Sequence, residues 1–222
     1  DDPAAVRSPL RDALAAAGKP AETALIAALA GGASSTAAAA ALVLGALKSA
    51  EGAKAIVRAM QRGTVPLRAG VHALAQIGSP TALPTVLELF DDPDPTTRKE
   101  AIRAAASLLD PAQVDGRAVD PASAALRDAS TPIDEKIELV RLLGRTGAPR
   151  AEAVLLPLVS AKPPALRLAV IEALGSLRAP AVTTAQTPSK QAQPAFSPLA
   201  TALLAALDDE SAEVRLGAAM SL

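Results

Sequence analysis

The sequence predicts an all-α protein, a right-handed α-solenoid of about six antiparallel helix pairs, and three observations predict it. The first is the kind of apolar residue. Half the chain is hydrophobic, yet aromatics make up 1%, with only Phe90 and Phe196 and no Trp or Tyr. Ala and Leu, the strongest helix formers, supply the apolar residues instead, and the strand-favouring aromatics are almost missing. A core without aromatic rings, each of which buries about 150–250 Å², has to come from many thin helices packed in close layers.

Punctuation by proline is the second observation. Pro20, Pro80, Pro111, Pro149 and Pro180 each follow an apolar helical run, at successive spacings of 60, 31, 38 and 31 residues. The 60-residue step is a doubled period, with Ala50 in the intermediate slot. Three of the runs read Leu-Ala-Ala-Ala-Gly-Lys-Pro20, Leu-Ala-Gln-Ile-Gly-Ser-Pro80 and Leu-Gly-Arg-Thr-Gly-Ala-Pro149. Glycine suits the left-handed residue beyond a helix, and a proline shortly after stops the helix continuing. The third observation is a basic residue 12 or 13 positions before each proline: Arg7, Arg68, Arg98, Lys136 and Arg167. Arg215 begins another copy, and Ala38 fills the slot in the Ala-rich unit. Two markers holding a fixed offset establish an internal repeat.

Each unit carries two helical patterns. In chain order they fall near 4–17, which ends at the first proline marker, 20–30, the Ala-rich 35–49, 50–62 and 65–78. Then come 80–91, 95–109, 121–129, 133–146, 149–160, 164–177, 196–208 and a last one from 212 onward. The second helix of each unit is the one carrying the basic marker. Three places after that marker stand Leu10, Ala41, Val71, Ala101, Leu139, Val170 and Ala218. Six or seven places after it stand Leu44, Leu74 and Leu142, or Leu14, Leu143 and Leu174. These positions share one face, the stripe that a helix packed between neighbours buries. Two stretches depart from the period: 112–120 lengthens one unit, and the polar, Pro- and Gln-containing 181–195 reads as a flexible surface loop. The whole of 1–222 reads as a single array. Its Asp-Asp-Pro start and its ends, neither of which reads as a polar cap, point to a segment of a longer protein.

The unit Ser79–Pro111 resembles the HEAT repeat, especially the short bacterial form named after phycobilisome lyases. Asp92 and Arg98 match the Asp and Arg that mark that family, and the same spacing recurs as Asp1/Arg7 and Asp209/Arg215. Other copies replace the Asp, with Arg62 or Ala161 for example, so the ladder is interrupted. The periodicity assigns Arg7, Arg68, Asp92, Arg98, Lys136, Arg167, Asp209 and Arg215 a structural role, tying adjacent turns through carboxylates or helix-end carbonyls. The resemblance covers nearly the whole chain and implies fold far more than function, because the repeat serves many roles.

Residues for catalysis are scarce. The single histidine, His72, stands four places after Arg68, in a column that elsewhere holds Leu42, Ile102, Val140 and Ile171, so it is expected against the core. There is no Cys, no Ca²⁺-loop spacing, no P-loop, no dinucleotide fingerprint and no nucleophile elbow. HEAT-like deoxyhypusine hydroxylases carry paired His-Glu ligands, which have no counterpart here. A net charge of −1 and missing aromatics argue against nucleic acid, since neither a basic field nor stacking is available. No apolar run is long enough to span a bilayer. The expected function is a non-catalytic scaffold binding another protein, with no cofactor or metal. A regulatory domain beside a catalytic region, or a phycobilin-lyase-like chaperone, are the alternatives. Lys99, Arg103, Arg141, Arg145 and Glu172 form the expected binding patch on the concave, second-helix side, suited to an acidic or mixed-charge protein segment. Ala-rich composition points to a bacterial source; the compartment stays open between cytoplasm and periplasm.

Overall fold

A computed structural model describes residues 18–178 and 198–222. Arg7, the helix expected near 4–17 and the loop expected over 181–195 lie outside the described residues. Among those described there are twelve α-helices and no strand. They are α1 Lys19–Gly31, α2 Ser34–Ala46, α3 Ala50–Gln61, α4 Leu67–Ile77, α5 Leu83–Leu87 and α6 Pro95–Leu108. Next come α7 Val119–Arg127, α8 Ile133–Arg145, α9 Pro149–Leu155, α10 Pro164–Arg178, α11 Pro198–Ala206 and α12 Ala212–Ser221. Odd-numbered helices are the first of each pair and even-numbered ones the second, which makes six pairs of the α-solenoid class.

Packing divides the chain after Leu108 into two compact units. In the first unit α2 packs on α4 and α4 on α6; in the second, α8 packs on α10 and α10 on α12. The cores are aliphatic: Leu44, Leu74, Leu83 and Ile102 in one unit, Leu139, Leu142, Leu143 and Leu174 in the other, all at most 1% exposed. Small residues bring the second helices together. A Cβ added at Gly144 of α8 would lie 2.8 Å from Ala173 Cα of α10, and one at Gly45 of α2 would lie 3.0 Å from Ala73 Cα of α4. Ordinary carbon contacts fall near 3.5–4.0 Å, so these helices touch backbone to backbone, as a core built without aromatics requires.

Turn chemistry follows the punctuation. Gly18, Gly78 and Gly147 adopt φ of 59°, 72° and 60°, the left-handed conformation that costs glycine no Cβ clash. Lys48 stands in the same slot of the Ala-rich unit and takes φ 52°. At the start of α6, Asp94 accepts from the Thr96 and Thr97 amides and the Thr97 hydroxyl, an N-cap. The Thr97 hydroxyl, more than any other partner, holds the Asp94 carboxyl below its ordinary range.

Two expectations need correction. The first helices near 80–91 and 149–160 are not continuous α-helices. Tight 3₁₀ turns over Pro80–Ala82 and Glu88–Asp91 flank α5, and another over Leu156–Leu158 follows α9. Pro84 and Pro157 account for the turns over Pro80–Ala82 and Leu156–Leu158, since each lacks an N–H and crowds the carbonyl four residues back. The stretch 112–120 is also more ordered than an irregular insertion. Asp115 donates its amide to the Thr146 carbonyl at 2.8 Å, and its carboxylate accepts from the Arg117 amide at 3.1 Å. A 3₁₀ turn, Gly116–Ala118, then leads into α7, so the extra residues dock on the end of α8.

Candidate functional site

The second helices share a register counted back from the proline slot. Arg98, Lys136 and Arg167 stand thirteen places before it, whereas Arg68 and Ala38 stand only twelve. Leu67 and Ala37 are therefore the true equivalents, and the side chains of α2 and α4 fall one position away from the expected columns. His72 accordingly does not lie against the core. It is exposed, and it joins the column eight places before the proline slot: Leu42, His72, Arg103, Arg141 and Glu172, every one exposed. Four places before the slot stand Gln76, Ser107, Arg145 and Ser176, also exposed. These two columns form the solvent face of the second helices.

Arginines of the marker column act within the framework. Arg98 Nη1 donates to the Asp92 carbonyl at 2.9 Å and the Pro93 carbonyl at 3.4 Å. Arg215 Nη1 does the same with Asp209 at 2.7 Å and Glu210 at 3.1 Å. Each thus ties its helix to the turn that enters it. Arg167, buried at 6% exposure, uses its whole fork. Nη1 donates to the Ala161 and Lys162 carbonyls at 3.0 and 2.9 Å, while Nε and Nη2 form a bidentate pair with Asp209, both at 2.8 Å. Nη2 also reaches Glu210 at 3.0 Å. Hydrogen bonding from Arg167 outweighs the opposing effect of burial and holds the Asp209 carboxyl below its ordinary range.

The remaining ladder residues behave differently. Arg68, one position out of register, is 60% exposed and pairs with Glu100 at 2.9 Å rather than with carbonyls. Asp92 turns its side chain to the Asp94 amide at 2.9 Å. Lys136 is half-buried.

The expected binding patch is distributed over both units. Lys99 and Arg103 belong to α6 in the first. Arg141, Arg145 and Glu172 belong to α8 and α10 in the second, where Arg141 pairs with Glu138 at 3.5 Å. Arg103 lines an open groove of about 460 Å³ between α4 and α6, with Val71, Ala75 and Ala104 as floor and His72, Gln76 and Ser107 beside it. Gln76 Nε2 lies 3.1 Å from His72 Nε2. Glu172 and Ser176 line a separate groove of about 330 Å³ with Met220 of α12. Among the described residues no three His, Cys, Asp or Glu side chains converge as metal ligands, and no helix is long and apolar enough to cross a membrane.

Known proteins add the following. No curated protein sequence matches the chain. Among solved structures, an engineered protein is 20% identical over 90% of this chain and 94% of its own, with a TM-score of 0.54. A chain from the complex of CpcE and CpcF of phycocyanin lyase from Nostoc sp. PCC7120 is 18% identical over 90% of this chain and 75% of its own, at 0.55. Human deoxyhypusine hydroxylase is 19% identical over 100% and 90%, at 0.40. The first two show the shared helical-repeat fold. The family model for HEAT repeats matches residues 22–106, 65–133 and 119–187, overlapping segments that run through all but the last of the helix pairs described above, and the chain belongs to the HEAT-repeat family.

Proposed function

We propose that this chain is a non-catalytic scaffold whose exposed second-helix faces bind another protein. One observation carries the reading. The two solvent columns of the second helices hold exposed side chains that are mostly polar, long ones such as Gln76, Arg103, Arg141, Arg145 and Glu172 among them, while the marker arginines are committed to carbonyls and carboxylates. Charged and amphipathic groups set out on rigid helices suit recognition of a protein surface, where guanidinium groups are favoured anchors.

The test is affinity capture with the immobilised full chain, comparing the parent with a variant carrying Arg103→Glu, Arg141→Glu and Arg145→Glu. Partners held by the parent and lost from the variant are the expected result, with both proteins melting alike. Capture unchanged by the three reversals would remove these faces from the binding role. An enzyme recovered as the dominant partner would favour the accessory-domain alternative, and a pigment-bearing protein the lyase-like one.

A further inference from the structure

The corrected register of the first unit places three unlike side chains in one row. Leu42 on α2, His72 on α4 and Arg103 on α6 stand at the same repeat position, and each helix packs on the next. The row is chemically polarised. At one end Leu42 is an aliphatic side chain 39% exposed, in the most apolar helix of the unit. His72 and Gln76 in the middle are hydrogen-bonded to each other. At the far end stands Arg103, exposed and without an ion-pair partner among the described residues. The carboxylate nearest in the groove, Glu100, is already paired with Arg68. The groove therefore keeps one uncompensated positive charge above an apolar floor.

On the scaffold reading above, we infer that this row is a docking strip for an extended acidic protein segment. Arg103 takes a carboxylate of that segment and Leu42 takes an aliphatic side chain. Charge complementarity selects the acid: a free guanidinium presents parallel N–H donors that match a carboxylate. Geometry sets the spacing. Packed helices lie about 8–10 Å apart, so two steps from α2 to α6 cover roughly 16–20 Å, and an extended chain advancing about 3.3 Å per residue crosses it in about five or six residues. The other groove, between α10 and α12, carries Glu172 and is not suited to the same ligand.

The full chain is panned against a random 12-residue displayed peptide library, and the selected consensus peptide is titrated by fluorescence anisotropy. Selected peptides are expected to pair Asp or Glu with Leu, Ile or Val five or six residues away. Affinity should fall at least tenfold with Arg103→Glu, several-fold with Leu42→Glu, and partly recover with Arg103→Lys. Selection of no peptide, selection without acidic residues, or indifference to Arg103→Glu would each overturn the strip. If the parent still captures protein partners in the experiment above, only the strip has failed; if it captures none, the scaffold reading fails with it.

Discussion

The contact between α8 and α10 makes a sharp prediction, because the same substitution should have opposite signs at two glycines. Gly144→Ala improves helix propensity by about 1 kcal/mol. Its new methyl, however, would sit 2.8 Å from Ala173 Cα and 2.9 Å from Ala173 Cβ, nearly 1 Å inside an ordinary contact. No rotamer change relieves this, since the obstructing atoms belong to a helix backbone and to an alanine. The helices must separate, yet Leu139, Leu142 and Leu143 on one side and Val170 and Leu174 on the other are fully buried. Opening a gap of 0.5–1 Å forfeits a quarter to a half of each contact it stretches, and overpacking of this kind costs about 1–3 kcal/mol. The net is a loss of about 1 kcal/mol for Ala, larger for Val. At Gly31, the last residue of α1, nothing lies within 4 Å of an added Cβ, so Gly31→Ala keeps the propensity gain of about 0.5–1 kcal/mol. Urea denaturation followed by helical circular dichroism reads both, and near 2–4 °C per kcal/mol is expected in thermal melts of a chain this size. If Gly144→Ala matches or exceeds the parent, α8 and α10 do not touch as described.

Two further outcomes follow from single positions. Lys48 holds φ 52° where sister units use glycine; Lys48→Gly removes a left-handed penalty of about 1–2 kcal/mol against a glycine entropy cost of about 0.5–1, so the urea midpoint should rise, and a fall would show the lysine side chain to matter more than its backbone. Asp209 has a folded-state carboxyl lowered chiefly by hydrogen bonding from Arg167, so its stabilisation is present above the ordinary Asp value near 3.9 and lost as pH falls below it. Asp209→Asn should therefore be less stable than the parent at pH 7 and converge on it toward pH 3; a constant difference across that range would refute the assignment to the Asp209 charge.

Much of this architecture can be read from residue order, and the errors share a cause. Gly18, Gly78 and Gly147 announced left-handed helix ends, and second helices such as the one expected at 95–109 begin and end within a residue or so of the observed Pro95–Leu108. Where sequence reasoning went wrong, it followed a charge in preference to the backbone. Aligning on Arg68 shifts α4 by one residue, which is a rotation of about 100° and moves His72 from the solvent face to the core. Counting thirteen places back from Pro80 reaches Leu67 and sets His72 beside Arg103. The proline is the better ruler because it fixes φ and removes an amide donor, properties set by the chain itself. An arginine can slide along a helix and still find a carboxylate, as Arg68 does with Glu100. Pro84 and Pro157 carry the same lesson for the first helices, since the turns over Pro80–Ala82 and Leu156–Leu158 were written in two residues read as ordinary helix.

What residue order does not reveal is partnership across the repeat. Arg167 and Asp209 are 42 residues apart, and nothing in either segment specifies that one fork should meet the other carboxylate. That pairing depends on where the next helix pair settles, which the small-residue contacts decide: α12 lies on α10 at Gly217 and at Gly175, where an added Cβ would fall 2.7 Å from Leu168 Cδ1 and 2.5 Å from Ser221 Oγ respectively. Close backbone packing and the buried Arg167 fork are thus two parts of one device. The first sets the spacing between successive helix pairs, and the second becomes possible only at that spacing. The solvent columns sit outside this device, so side chains there are free to change from aliphatic to basic to acidic along the array without disturbing its stacking. That separation of framework from face is the physical ground for reading the row of Leu42, His72 and Arg103 as a recognition surface.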